Sequence, residues 1–148
     1  ESREEREWIA ELLNSKRIVD QHEWVHRYYF HPQMSGRTSI KVVLPAVWQN
    51  NRGLHQHEYF RRYYAESDGR ILDPYKTLPE ARIEGVPMVV REGCGAMQVY
   101  RQMIVGRGAT SPKTKKALAD LLRNYVTLDT CSQWMIFEHW RQRLKLAW

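Results

Sequence analysis

Cysteine is scarce in this sequence, which contains only Cys94 and Cys131 among its 148 residues. These two form none of the paired spacings that hold structural zinc, and two thiols cannot build the disulfide framework of a small secreted domain. Long apolar runs are also missing, so the sequence predicts no membrane-spanning helix. Together these absences predict a cytoplasmic protein whose thiols are reduced.

Acidic residues are outnumbered by basic ones, 17 against 23, which gives a net charge of +6 and a pI near 9.5. A surplus of positive charge favours an anionic partner, and nucleic acid is the commonest one. The alternative is a basic surface that binds no anion. With 43% hydrophobic and 27% charged residues, the composition is that of a globular protein with one domain or a large part of one.

The opening stretch, residues 1–7, is dense in charge and runs directly into a helical pattern. It is neither a signal peptide nor a natural methionine start. We therefore expect these 148 residues to be an excised portion of a longer chain.

Apolar residues recur at helical spacing through most of the sequence. Between residues 66 and 92 the pattern changes: Asp68-Gly69 indicates a turn, and Val86–Val90 indicates a short edge strand that Pro87 limits. The sequence thus predicts a predominantly α chain with one or two short strands. The predicted helices are 3–13, about 21–30, 40–48 with a kink or an end at Pro45, 54–65, 93–104 and 112–140.

Within the last predicted helix, Tyr125 precedes Asp129 by four residues. This spacing puts both side chains on the same side of a helix, so the carboxylate can bind a metal ion while the phenol reaches the same site. The alternative is a buried tyrosine beside a solvated acid, because the pair also occurs by chance in helices.

Several longer motifs follow one another along nearly the whole chain. They are Arg17-Ile18-Val19-Asp20, Tyr28 to Pro32, Gly36 to Ala46 with its Ser-Ile-Lys-x-Val-Leu-Pro stretch, Glu92-Gly93 with Ala96 and Tyr100, and Leu121-Leu122 with Tyr125 to Thr130. Their order resembles a bacterial domain family of initially unknown function that is related to the DEDD-type 3′–5′ exonucleases, in the variant with a tyrosine, of ribonuclease H-like (RNase H-like) fold. The Ser-Ile-Lys-x-Val-Leu-Pro stretch is the most specific part of the resemblance.

The resemblance implies an α/β RNase H-like fold for the complete domain and hydrolysis of phosphodiester bonds in nucleic acid. In that superfamily four acids hold two divalent ions, and a tyrosine or histidine four residues before the last acid orients the attacking water. By position, Asp129 would be the last metal-binding acid and Tyr125 its partner. One ion lowers the pKa of water and the other stabilises the leaving oxygen. Carboxylate ligands suit Mg²⁺ or Mn²⁺.

One part of the family pattern is missing from these residues, since no Asp-x-Glu motif occurs and the second acidic motif has no counterpart. Both are expected upstream of Glu1. The resemblance therefore implies that residues 1–148 are the C-terminal portion of a single exonuclease-type domain. We expect this portion to be inactive alone, because one carboxylate does not make a two-metal site. Its expected partners are the missing N-terminal part and a nucleic acid, either DNA or RNA.

A different chemistry is indicated by His22-Glu23-Trp24-Val25-His26, which matches the H-E-x-x-H pattern of zinc hydrolases. There, two histidines one turn apart bind Zn²⁺ and the glutamate acts as general base. The residues that extend this motif in metzincins are absent. A third ligand would have to come from His31, His55, His57 or Glu58, among which the sequence does not choose.

Two basic residues, Arg37 and Lys41, flank the start of the helix predicted from residue 40. Backbone N–H groups and positive charge at such a start can bind a phosphate of nucleic acid. The alternative is a helix start whose lysine is solvated.

A third possible function is a catalytically silent nucleic-acid-binding module that keeps the fold.

Overall fold

The computed structural model describes residues 2–15, 18–105 and 111–145, and most of these are helical. The helices are α1 (Arg3–Asn14), α2 (Gln21–Tyr28), α3 (Ile40–Asn50), α4 (Arg52–Gln56), α5 (Gly93–Val105) and α6 (Pro112–Arg143). The strands are β1 (Glu66–Ser67), β2 (Arg70–Ile71), β3 (Ala81–Ile83) and β4 (Val86–Met88), and 3₁₀ turns cover Pro32–Met34, Arg61–Tyr63 and Pro74–Thr77. The prediction of a predominantly α chain is confirmed. None of the helices in these ranges combines the length and hydropathy needed to cross a membrane.

Helix α6 is the central element, and α3, α5 and β3 pack against it. It begins where the sequence predicts, because the Ser111 hydroxyl accepts the Thr114 N–H at 3.1 Å and Pro112 occupies the first helical position. From Leu118 to Met135 its buried side chains recur every three or four residues, which is the period of one helical side, and toward the end of the helix the buried surface widens. The buried residues are Leu118, Leu121, Tyr125, Leu128, Ser132, Met135, Ile136, Glu138 and His139.

Helix α3 is the most apolar helix of the core, with Val43, Leu44, Val47 and Trp48 almost fully buried. Pro45 lies inside it and does not end it. Because proline has no N–H, the helical hydrogen bond from residue 45 to the carbonyl of Lys41 cannot form. Burial of the flanking apolar residues keeps the helix continuous across this gap.

Two antiparallel hairpins lie between the helices, β1 with β2 and β3 with β4. Each is closed by two residues with positive φ, Asp68 and Gly69 in the first and Glu84 and Gly85 in the second. Positive φ at both central positions is the condition for a type I′ turn, which matches the twist of two-residue hairpins. The predicted turn at Asp68-Gly69 is confirmed, and β4 is the strand predicted from Val86.

Three local predictions need correction. The helix predicted over 54–65 is wrong: α4 ends at Gln56, and a turn and a 3₁₀ segment follow, because this arrangement buries Phe60 and Tyr63 in the core. Helix α3 does not end at Pro45, which lies inside it. Serine is a favoured N-cap residue, so the sequence predicts that Ser39 caps α3; it holds the N-cap position, but its side chain makes no capping hydrogen bond. Gly106-Arg107-Gly108, whose glycines predict the end of the helix that starts at residue 93, lies outside the described residues.

Candidate functional site

Tyr125 and Asp129 lie one turn apart on α6, on the side that faces α3. The Tyr125 side chain is buried, whereas Asp129 is part-exposed. Leu121, Leu128 and Ser132 are buried around them, so the site lies at the edge of the core. The helical spacing in the sequence is the physical reason that the phenol and the carboxylate share one side.

Lys41, from the first turn of α3, reaches the same carboxylate across 88 residues of sequence. Its Nζ donates to Asp129 Oδ1 at 2.5 Å. The same ammonium lies 3.4 Å from the ring centroid of Tyr75 and 4.5 Å from that of Tyr125. Cations are attracted to the faces of aromatic rings, so the two rings hold the lysine while the carboxylate neutralises it.

Tyr75 is the site residue that the sequence interpretation missed. It lies in the 3₁₀ turn Pro74–Thr77, where the Asp73 side chain accepts the Tyr75 N–H at 3.0 Å. The Tyr75 hydroxyl donates to Asp129 Oδ1 at 2.8 Å and lies 3.1 Å from the Ser132 hydroxyl. The Asp-Pro pair predicts a turn, but only tertiary packing brings this phenol to α6.

Burial changes the proton affinities of the three groups around Asp129. It lowers the pKa of Lys41, an effect that the hydrogen bond and the charge of Asp129 oppose. It raises the pKa of Tyr75 strongly, and it raises the pKa of Tyr125, with the negative charge of Asp129 acting in the same direction. Both phenols are therefore neutral at physiological pH and act as hydrogen-bond donors or ring surfaces, not as phenolates.

A cleft of about 320 Å³ opens beside this cluster. Asp129 and Gln133 of α6 line one part of it, and Asp20, His22 and Thr38 line another. Both hydrogen bonds to the Asp129 carboxylate go to Oδ1, and no described residue donates to Oδ2. One oxygen thus anchors the carboxylate of a residue that lines the cleft.

The H-E-x-x-H helix is α2, and its two histidines are exposed. His22 Nε2 lies 2.9 Å from the Thr38 hydroxyl, and Glu23 forms an ion pair with Arg27 at 2.7 Å. Three of the four side chains that could complete a zinc site make other contacts, and the fourth, Glu58, is exposed. His31 Nδ1 accepts the Gln33 N–H, His55 bonds the Trp48 carbonyl, and His57 stacks on Phe60.

Arg37 is exposed on the turn that precedes α3, with its N–H bonded to the Met34 carbonyl at 3.0 Å. Its guanidinium is not among the described groups that contact Asp129. Of the four residues that the sequence analysis assigned to a nuclease site, three converge on one point, and the fourth lies at the surface near the start of the same helix.

Whether these residues could bind a divalent ion depends on how many metal-binding side chains lie together. In ranges 2–15, 18–105 and 111–145, no three His, Cys, Asp or Glu side chains lie close enough together to hold a metal. Asp129 offers one carboxylate, part of whose charge Lys41 already balances. These residues alone do not fit a bound ion, and further acids would be required.

Comparisons with protein-family models, curated proteins and solved structures find no match to this chain. A proposal about its function therefore depends on the residues and geometry described above.

Proposed function

We propose that this chain is the C-terminal portion of an RNase H-like exonuclease-type domain that hydrolyses nucleic-acid phosphodiester bonds. In this proposal Asp129 is one of the metal-binding acids and Tyr125 its neighbour at the reacting phosphate. The other acids and the central sheet come from residues outside these 148. The Mg²⁺ or Mn²⁺ ions bound by the complete set would activate water and stabilise the leaving oxygen.

The observation that carries the proposal is the convergence of two separate motifs. The Ser-Ile-Lys-x-Val-Leu-Pro stretch brings Lys41, and the last helix brings Tyr125 and Asp129. Lys41 Nζ is 2.5 Å from the carboxylate and 4.5 Å from the Tyr125 ring centroid. A cation and an acid beside an open cleft are the groups that binding and cleaving a phosphodiester would use.

Each residue then has a specific task. Asp129, anchored through Oδ1 by Lys41 and Tyr75, lines the cleft and would offer its carboxylate to a metal ion there. Lys41 forms an ion pair with that carboxylate and offers positive charge to a phosphate. Tyr125, whose burial and acidic neighbour raise its pKa, keeps its proton and can donate a hydrogen bond. Arg37, exposed near the start of α3, can contact a more distant phosphate.

A catalytically silent nucleic-acid-binding module is the second candidate, and one observation favours it. Lys41 forms an ion pair with Asp129, and no group of three metal ligands occurs in the described parts of the chain. A nucleic-acid-binding surface needs no such group, because phosphate contacts from basic residues provide most of the affinity.

Binding of labelled single-stranded DNA and RNA to the 148-residue chain tests what the two candidates share. If phosphates approach the cleft, Lys41→Gln lowers the affinity about threefold to tenfold and weakens its salt dependence by about one phosphate contact. Asp129→Asn raises the affinity about threefold without added metal, because a repelling charge is removed. The matched control is Asp120→Asn, which removes another acid of α6, paired with Arg123. Equal effects of the two asparagine variants would contradict the proposed site.

Hydrolysis distinguishes the two candidates. A polypeptide that also contains the preceding residues is expected to degrade a labelled strand with Mg²⁺ or Mn²⁺, and Asp129→Asn is expected to abolish that activity. Degradation that is unaffected by Asp129→Asn would exclude the assigned role of this acid. Binding without any metal-dependent degradation would leave the silent module as the function.

A further inference from the structure

Helix α1 is well formed at its start and yet buries no residue. Ser2 and Glu5 form a complete capping box, so the sequence specifies this helix start strongly. Trp8, Ile9 and Leu13 share one side of the helix and are 63%, 43% and 66% exposed. A helix of 12 residues is only marginally stable in water on its own, so this apolar side needs a surface to cover it.

An uncovered apolar groove of about 340 Å³ lies between α2 and the end of α6. It is lined by Trp24, Tyr28 and Tyr29 at α2 and by Trp140, Arg143 and Leu144 at the end of α6. The rings of Trp24 and Trp140 stack with centroids 6.3 Å apart. Tyr28 and Leu144 are 78% and 66% exposed, so the groove offers unused apolar area to a partner.

We propose that this groove, which we name the α2–α6 groove, binds helix α1 of a second copy of the chain, so that two copies exchange their first helices. The proposal is independent of the nuclease assignment. Each copy contributes one helix and one groove, and the contact is therefore made twice about a two-fold axis.

Charge favours this occupant. Helix α1 has four glutamates and two arginines, a net charge of −2 in a chain whose total is +6. Glu4 and Glu11, seven residues apart, flank the Trp8 edge of its apolar side. Arg143 lies in the lining of the groove, and Lys145 follows just beyond it. An acidic, amphipathic helix thus meets an aromatic groove with a basic rim.

The length of the connection permits the exchange. Six residues, 15–20, separate the end of α1 from the start of α2 and span at most about 20 Å when extended. Helix α1 itself is about 18 Å long. In the structure α1 buries nothing against its own groove, so the groove is open to the helix of a partner.

Sedimentation or light scattering over a wide range of concentration tests the proposal. The chain is expected to show a monomer–dimer equilibrium, which Leu13→Glu in α1 and Leu144→Glu in the groove each weaken about 100-fold, since each change breaks both contacts. Both side chains are exposed, so neither variant threatens the fold. Val86→Glu, at a site 60% exposed in β4, is the matched control and leaves the equilibrium unchanged.

Mixing the two variants is the decisive step. A mixed dimer of Leu13→Glu with Leu144→Glu keeps one contact between an unmodified helix and an unmodified groove. It should form about tenfold more tightly than either variant with itself. A wild-type chain that stays monomeric at every concentration would overturn the proposal. Dimerisation of either variant at wild-type strength, or a mixture no tighter than its components, would overturn it as well.

Discussion

Helix α6 contains two polar clusters that differ in what they leave open. Glu138, near the end of the helix, lies nine positions after Asp129, which is in its middle. The Asp129 side chain is 38% exposed and lines a cleft, whereas Glu138 and His139 are 7% and 2% exposed. Glu138 and His139 are therefore polar groups inside the fold, whereas Asp129 is a polar group that a ligand could reach.

In the buried cluster the hydrogen-bonding groups are matched. Asn51 Nδ2 donates to His139 Nδ1 at 3.1 Å and to Gln142 Oε1 at 3.0 Å. Since Nδ1 accepts, the proton of the neutral imidazole is on Nε2, which lies 3.4 Å from the Tyr29 hydroxyl. Glu138 accepts from Arg141 and Gln142. Because these polar groups bond to one another, the cluster stabilises the contact between α2, α4 and α6 and is not arranged to bind a ligand.

The Asp129 cluster is built differently. Lys41 and Tyr75 both donate to Oδ1, while the second oxygen receives no hydrogen bond from a described residue. The Lys41 ammonium lies over the rings of Tyr75 and Tyr125 at the rim of the core. Such an arrangement fixes the direction of a carboxylate and leaves part of its binding capacity unused, which is what a functional group requires.

The largest expected effect is the loss of stability on truncating the buried histidine. His139→Ala should lower the free energy of unfolding by about 2–4 kcal/mol, because it leaves a cavity and strands Asn51 and Tyr29 without their partner. Urea unfolding followed by circular dichroism measures this. Asp129→Ala is the counterpart in the open cluster, and its cost should be about 1 kcal/mol. Equal losses would erase the distinction between the clusters.

The second largest expected effect is a loss of folding stability at acidic pH, caused by protonation of buried His139. Burial, with the nearby positive charges of Arg143 and His31, lowers the pKa of His139 to about 4. The unfolded chain has an ordinary histidine pKa near 6.5, so between these two values the unfolded state binds the proton and the folded state does not. Stability from this group is therefore full above about pH 6.5 and is lost as pH falls toward 4, by up to roughly 3 kcal/mol.

The variant His139→Phe provides the control for that pH dependence. Phenylalanine fills most of the same volume and cannot titrate, so the difference between wild type and variant isolates the histidine. The free energy of unfolding of the variant should fall less steeply between pH 6.5 and 4. Parallel curves for the two proteins would show that folding does not change the pKa of this imidazole.

The coupling between Lys41 and Asp129 is expected to be smaller. A double-mutant cycle with Lys41→Met and Asp129→Asn should give a coupling energy of about 1 kcal/mol, because both side chains remain partly in solvent. Added salt should reduce it. The pair Asp120 and Arg123, which are 45% and 72% exposed on the same helix, is the control and should show less coupling. An equally large coupling energy for Asp120 and Arg123 would show that the Lys41–Asp129 pair is no stronger than an ordinary surface ion pair.

Much of the helical structure could be predicted because local signals and packing agree. Ser111-Pro112 marks the start of α6, and its apolar period extends through Ile136. The Asp68-Gly69 hairpin follows from the need for positive φ at both turn residues. The segment after α4 could not be predicted in the same way. Its aromatic residues have helical spacing, but Phe60 and Tyr63 reach the core through a turn.

The candidate site could be predicted only in part, for a similar reason. The spacing of Tyr125 and Asp129 fixes their shared side of α6, since it depends on one helix alone. The contact of Lys41 with Asp129 and that of Tyr75 with the same oxygen depend on how three segments pack. No pattern within the turn Pro74–Thr77 distinguishes Tyr75 from the other tyrosines, and only the folded arrangement does.

The smallest expected effect concerns the exposed histidines of α2, which contrast with buried His139. The double change His22→Ala, His26→Ala should alter the free energy of unfolding by less than about 0.5 kcal/mol, because both rings lie at the surface. Elemental analysis of the purified chain should find far less than one Zn²⁺ per molecule, both before and after the change. His22 Nε2 bonds the Thr38 hydroxyl, so binding zinc through this nitrogen would require breaking that contact. Zinc near one equivalent that is lost in the double variant would make α2 the functional centre, and Asp129 would then be a structural acid like Glu138.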